Sequence, residues 1–292
     1  MPISATRSRR RAEPVTGVPG DPPAEGASER PAVAAPETID GREVRRDGFY
    51  GGRFTVFQPK GWGYRSGLDA LLLAACFAPA TSGRIVDLGA GSGVVGMAAA
   101  ERAAEATVTL VEAEPVMASL CRHSLAMAEN SALAARLSVA EIDISARRAE
   151  REAAGLMDCA FDLVLTNPPF HPANHRRSPD PVRERALSAG MPLERWLAVA
   201  AALLAPKGRL VTVLRADLLG GAIAALEPRL GGLAVVPVHT RMGAPAERIL
   251  IAGTRGSKAP LRLLPGIALG DADGASTPLS REIAAGTAEI AI

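Results

Sequence analysis

Four consecutive residues, Asn167-Pro168-Pro169-Phe170, form a set that could handle an amino group. An exocyclic amine conjugated to a ring is a poor nucleophile, because its lone pair is delocalised. An Asn side-chain oxygen and the carbonyl of the following proline can each accept one of the two amino hydrogens. Nitrogen is then drawn toward tetrahedral geometry, and its lone pair turns toward an electrophilic carbon. The paired prolines keep the turn rigid, since each ring fixes φ and neither has an N–H to donate. Phe170 offers a face on which the ring carrying the amine could stack. Such a clamp works by alignment at about 3 Å and needs no strong base. The competing reading is a rigid loop after a strand.

A second constellation lies about 80 residues earlier. The apolar run Arg84-Ile85-Val86-Asp87-Leu88 feeds Gly89-Ala90-Gly91-Ser92-Gly93 and then a helix-like stretch. Glycines between a strand and a helix let backbone approach a ligand and aim free N–H groups at it. The spacing parses in two ways. Gly91-x-Gly93-x-x-Gly96 fits a dinucleotide fingerprint, with Glu112 placed for a ribose hydroxyl. Asp87-x-Gly89-x-Gly91-x-Gly93 instead resembles the turn of class I S-adenosylmethionine-dependent methyltransferases. Glu112 ends the next strand, where two carboxylate oxygens can accept from both ribose hydroxyls. Asp143 ends a third strand and is read either as an acceptor for an adenine amino group or as a helix cap. Asp69, near a helix start, is a first-turn acid or a ligand contact.

After the tetrapeptide comes a polar loop holding His171, His175, Arg176, Arg177, Arg183 and Arg185. Phosphate contact and simple solvation are the two readings of its arginines. Prolines prevent His171 and His175 from sharing a helical face and no cysteine is near, so no metal is expected. Cys76, Cys121 and Cys159 are far apart with no CxxC, which suggests buried, reduced thiols and a cytoplasmic setting. The net charge of +2 does not itself announce a nucleic-acid partner. No apolar run reaches the ~18 residues of a membrane span.

The elements around these sites alternate in type. Strand patterns end at Leu88, Glu112, Ile142, Thr166 and Leu214, with helical stretches between them, and two further strands cover 233–238 and 248–253. Alternation of this kind calls for a doubly wound, mostly parallel α/β sheet. The final pair, joined by about ten residues, should run antiparallel. Residues 1–46, rich in Pro, Ala, Arg and Glu, are expected to form a disordered extension. Residues 47–255 form the folded domain, and 256–292 a tail that packs on it or trails from it.

Phe54 onward, with Gln58, Gly67-Leu68-Asp69, the 87–93 turn, Glu112, Asp143 and Asn167–Phe170, resembles the bacterial tRNA1(Val) adenine N6-methyltransferases. The resemblance covers residues 50–255. It implies a Rossmann-like seven-stranded class I methyltransferase sheet and S-adenosylmethionine held by Asp69, Asp87, Gly89, Gly91, Gly93, Glu112 and Asp143. It also implies Asn167, Pro168, Pro169 and Phe170 at the adenine, tRNA as partner, and a monomer. Phe170 stands where that family usually has Tyr, and Asn-Pro-Pro-Phe-His is shared with ribosomal RNA guanine N2-methyltransferases. Protein glutamine methylation and a nicotinamide-dependent or silent dinucleotide-binding module are the alternatives.

Overall fold

An antiparallel lead-in precedes the main sheet: β1 (Thr38–Ile39), β2 (Arg42–Phe49) and β3 (Phe54–Pro59) pair in that order. The structure is a computed structural model that describes residues 37–169 and 191–292. Phe170, His171, His175, Arg176, Arg177 and Arg183 lie outside the described residues, as does most of the expected extension. Residues 38–46, grouped with that extension by composition, are largely strand. Ile39 and Val44 bury against Phe57, Met117 and Leu120, two apolar anchors that a polar average conceals.

Helix α1 (Leu68–Ala74) leads into β4 (Gly83–Leu88), α2 (Val94–Arg102), β5 (Ala106–Glu112), α3 (Pro115–Leu125), α4 (Ser131–Ala134), β6 (Leu137–Glu141) and α5 (Arg148–Ala153). β7 (Phe161–Thr166), α6 (Leu193–Leu203), β8 (Leu204–Arg215), α7 (Leu219–Leu226), β9 (Leu230–His239) and β10 (Ala246–Arg255) follow. Seven long strands pair in the order β9-β10-β8-β7-β4-β5-β6. β10 runs antiparallel to both its neighbours, and the pairs from β8 across to β6 are parallel. The expected doubly wound architecture and its antiparallel final pair are therefore present. Side chains alternate between faces. Ile85, Leu110, Leu163 and Val211 join the core beneath α1 and α2; Val86, Val111, Val164 and Leu210 join the core under α6 and α7.

Register places the strand ends together. Leu88 is opposite both Val111 and Thr166, and Thr166 is opposite Thr212. The glycine turn, Glu112 and Asn167 thus leave the sheet along one carboxyl edge, where open α/β sheets bind ligands.

Beyond Gly256 the chain adds two short strands to the β9 edge, β11 (Arg262–Leu263) and β12 (Ile267–Ala268), then α8 (Pro278–Ala285). Ile283 and Ile290 are buried, and Ile290 N–H donates to Ala75 O at 2.8 Å. Arg53 donates to Ala285 O at 2.6 Å and Arg102 to Gly286 O at 3.0 Å. Among the described residues no helix is long and apolar enough to cross a membrane.

Candidate active site

A cavity of about 650 Å³ opens at the carboxyl edge of the sheet. One end is built from the β4, β5 and β6 termini, with Gly89, Gly91, Glu112, Ile142 and Asp143. Gly89 and Gly91 have φ of +75° and +58°, a region costly for residues with a Cβ. A Cβ on Gly89 would also meet the Trp196 ring at 3.2 Å.

Glu112 is committed to backbone. One carboxylate oxygen accepts from Gly91 N–H at 2.7 Å and the other from Glu114 N–H at 2.8 Å. It therefore ties the glycine turn to the start of α3. A carboxylate has about four lone-pair directions, and with the Ala113 N–H also directed at it one is left toward the cavity. Burial raises its pKa, opposed by the hydrogen bonds from the backbone N–H groups of Glu114, Gly91 and Ala113. Asp143 lines the cavity while accepting from Ser145 N–H at 2.7 Å, so it also shapes its own turn.

Asp87 and Gly93, which the resemblance places at the cofactor, are not among the residues lining this cavity. Asp87 is 1% exposed beneath the turn and accepts from Gly96 N–H at 2.9 Å, a carboxylate bracing the first turn of α2. Desolvation pushes its pKa up to about 7. Gly93, with φ +91°, packs toward Cys121 and Leu110. Gly96 lets α2 close on the sheet: a Cβ there would sit 2.0 Å from Leu110 Cδ2.

The other end of the cavity holds Asn167 and Pro168 at the β7 terminus, with Tyr64, Asp69, Arg215 and Arg248. The Asn167 side chain neighbours the Tyr64 hydroxyl. The Tyr64 hydroxyl is raised in pKa by burial and then by the Asp69 carboxylate, against the opposing effects of Asn167 and Arg248. Asp69, expected as either dipole partner or ligand contact, stands in the first turn of α1 and pairs with Arg248 at 3.1 Å. Trp196 Nε1 donates to Thr166 Oγ1 at 3.0 Å, and Thr166 Oγ1 donates to Leu88 O at 2.9 Å. This relay locks together the two strand ends from which the glycine turn and Asn167 emerge.

Gln58 explains how the lead-in serves the site. Its side-chain oxygen accepts from Ser66 N–H at 2.8 Å, and its amide donates to Asp47 at 2.9 Å and Ser66 O at 3.2 Å. Buried at 1% exposure and satisfied at both ends, it pins the loop carrying Tyr64 and Ser66 over the cavity. Sequence reasoning marked Gln58 but missed Tyr64, Trp196, Arg215 and Arg248. The strand-terminal placing of Arg215 was a signal that could have been used; Tyr64 had none.

The donor set suits S-adenosylmethionine. Glu112 and Asp143 offer acceptors for a ribose diol and an adenine amine. Ile142, Ile144 and Met117 supply apolar walls, and the surplus of carboxylates, Glu114 included, favours a cation.

The proteins to which this chain is similar are described as methyltransferases, and their descriptions differ in the atom methylated. The family described as "Methyltransferase small domain" matches residues 66–240. A tRNA1(Val) (adenine(37)-N6)-methyltransferase of Porphyromonas gingivalis is 32% identical over 172 residues, covering 56% of this chain and 64% of that protein, a little under two thirds of its length. The Aeromonas hydrophila protein of the same name is 29% identical over 194 residues, covering 65% and 76%. A crystal structure from Agrobacterium tumefaciens, described as a "predicted O-methyltransferase", superposes with TM-score 0.66 at 34% identity, covering 77% of this chain and 99% of that one.

Proposed function

Since the chain belongs to the methyltransferase small domain family, whose cofactor is S-adenosylmethionine, we propose that it methylates the exocyclic amino group of a base in RNA, most specifically N6 of adenine in a tRNA. One observation carries this reading: Asn167-Pro168 stands at the end of β7, next to the glycine turn in register, and faces the same cavity as Glu112 and Gly91. The relatives named for adenine N6 methylation of tRNA support the choice of base and RNA.

When bound, S-adenosylmethionine supplies a methyl carbon made electrophilic by its sulfonium. Gly89, Gly91, Glu112 and Asp143 would hold it. Asn167 Oδ1 and the Pro168 carbonyl accept the two amine hydrogens and fix the direction of the nitrogen lone pair. Tyr64, beside Asn167, is assigned to orient its amide so that Oδ1 faces the substrate. The alkylated nitrogen is a strong acid and loses its proton to water, so no side chain has to act as a base. An oxygen nucleophile, with at most one proton, would leave an acceptor unmatched. Phe170 and the basic 171–185 loop, outside the described residues, are assigned to stacking and phosphate contact.

The test is radiolabelled methyl transfer from S-adenosylmethionine to tRNA and rRNA of a deletion strain, followed by nucleoside mass spectrometry. N6-methyladenosine in tRNA is expected. Guanine N2 methylation in rRNA would replace the base assignment, and transfer to protein glutamine without transfer to RNA would overturn the reading.

A further inference from the structure

Two arginines stand side by side at the acceptor end of the cavity. Arg215 ends β8, Arg248 lies near the start of β10, and the antiparallel register sets them directly opposite one another. Both line the cavity. Directly opposed residues on a strand pair are near neighbours, and like charges there are unfavourable. Each arginine is accompanied by an acid: Asp217 faces Arg215 at 3.0 Å, and Asp69 faces Arg248 at 3.1 Å. These pairs are substantially exposed, with side-chain exposures of 40% and 54% for the first and 37% and 27% for the second. Partly exposed ion pairs of this kind are worth little and exchange readily.

Neither guanidinium is used up. Arg215 engages Asp217 through Nε and Nη2, and Arg248 engages Asp69 through Nε and the Glu247 carbonyl weakly through Nη1. Each keeps N–H groups that could turn to an anion between them. Two guanidiniums side by side at a cavity wall, held by exposed and exchangeable ion pairs and each with N–H groups to spare, can share one anionic oxygen group, and arginine's planar fork suits phosphate geometry.

We propose that Arg215 and Arg248 form a two-arginine phosphate site that grips the backbone of the nucleic acid beside the target base. The proposal rests on the nucleic-acid reading of the acceptor. Sheet order favours it over the other anion in play, the carboxylate of S-adenosylmethionine. β8 and β10 lie beyond β7, on the side of Asn167 opposite to β4, β5 and β6, so the arginines flank the clamp from the acceptor side. Holding the phosphate there would position the flipped nucleotide over Asn167, whatever the base.

The test uses the full chain with S-adenosylhomocysteine added and a fluorescent single-stranded adenosine-containing oligonucleotide, titrated by anisotropy across a series of salt concentrations. Wild type is compared with Arg215→Gln, Arg248→Gln and the double variant, and cofactor affinity is measured separately by calorimetry. Melting curves confirm that the variants are folded. The expected result is about tenfold weaker oligonucleotide binding per substitution, a log–log salt slope shallower by about 0.7 for each phosphate no longer neutralised, and unchanged cofactor affinity. Equal affinity and slope in wild type and double variant would overturn the site. Loss of cofactor affinity would overturn it too, and would assign the arginines to the cofactor's carboxylate. Because binding is read without turnover, an oligonucleotide held by these arginines but never methylated would leave the site standing and bring down the base-methylation reading instead.

Discussion

The two ends of the cavity are built on different plans. At the β4–β5–β6 end the polar groups belong to strand-to-helix turns, and side chains hold backbone: Glu112 grips Gly91 and Glu114, Asp143 grips Ser145, and Asp87 grips Gly96. At the β7–β8–β10 end side chains meet one another across long sequence gaps: Tyr64 beside Asn167, and Asp69 paired with Arg248. The first end is a preformed shape whose carboxylates are largely committed to backbone N–H groups. The second is a set of mutually oriented groups with spare hydrogen-bonding capacity. A scaffold for an invariant cofactor can be fixed in backbone, whereas an acceptor site must re-aim its polar groups when substrate arrives.

Substitutions at the two ends should therefore separate turnover from cofactor affinity, and the largest effect on turnover belongs to Asn167. Asn167→Ala removes an acceptor for the amine and should lower kcat by about 10²–10³-fold, the scale seen when one positioned polar group at a reacting centre is deleted. Cofactor affinity measured by calorimetry should stay within a few-fold. Parallel loss of both would place Asn167 on the cofactor side and erase the contrast. Tyr64→Phe comes next. It removes the hydroxyl proposed to orient the Asn167 amide and should lower kcat about tenfold, the equivalent of one modest hydrogen bond. Single-turnover kinetics at saturating cofactor reads the chemical step directly, and a change confined to KM would mean that Tyr64 contacts substrate instead of orienting Asn167.

The same contrast decides what could be read from sequence. The glycine turn, Glu112 and Asn-Pro-Pro sit at strand ends in short, locally patterned segments, so strand periodicity alone brings them to one edge. Tyr64, Trp196 and Arg248 reach the site through tertiary packing, and nothing local marks them. Tyr64 sits in a loop whose path is fixed by Gln58, and Arg248 faces the cavity because of a register set by Arg215 and its neighbours. Asp87 shows a subtler failure. It belongs to the motif, but it sits one layer below the ligand surface and shapes the turn from underneath. Residues 38–46 were hidden for a different reason, since two buried side chains, Ile39 and Val44, suffice to anchor an otherwise polar hairpin.

At the cofactor end, Glu112→Gln keeps the shape and one acceptor oxygen but sets an amide N–H₂ against a backbone N–H of Gly91 or Glu114. The turn loses a charge-assisted bond worth about 1.5–3 kcal/mol. Cofactor affinity should fall about 10–100-fold while single-turnover kcat at saturation changes little. A fall in kcat with intact affinity would make Glu112 part of the acceptor machinery.

Asp87 should leave turnover nearly untouched and act on stability. Its carboxyl is buried with one oxygen, Oδ1, lacking a partner among the described residues, and burial first, with the Glu112 charge contributing, lifts its pKa from 3.8 to about 7. Between those values the folded chain holds a proton that the unfolded chain has released. Folding is therefore favoured below pH 4 relative to neutral pH as far as this group is concerned, and its contribution is lost as pH rises through 7. The slope approaches about 1.4 kcal/mol per pH unit inside that window and vanishes above it. Asp87→Asn retains an oxygen for Gly96 N–H and removes the titration. Urea unfolding at pH 5, 6, 7 and 8 should give a stability difference, variant minus wild type, that grows toward the variant up to pH 7 and then levels off. A difference that stays flat across the series would mean that Asp87 remains ionised beneath the turn, compensated by charge or solvent reaching it from the cavity, and the cofactor end would then be less sealed than its backbone hydrogen bonds make it.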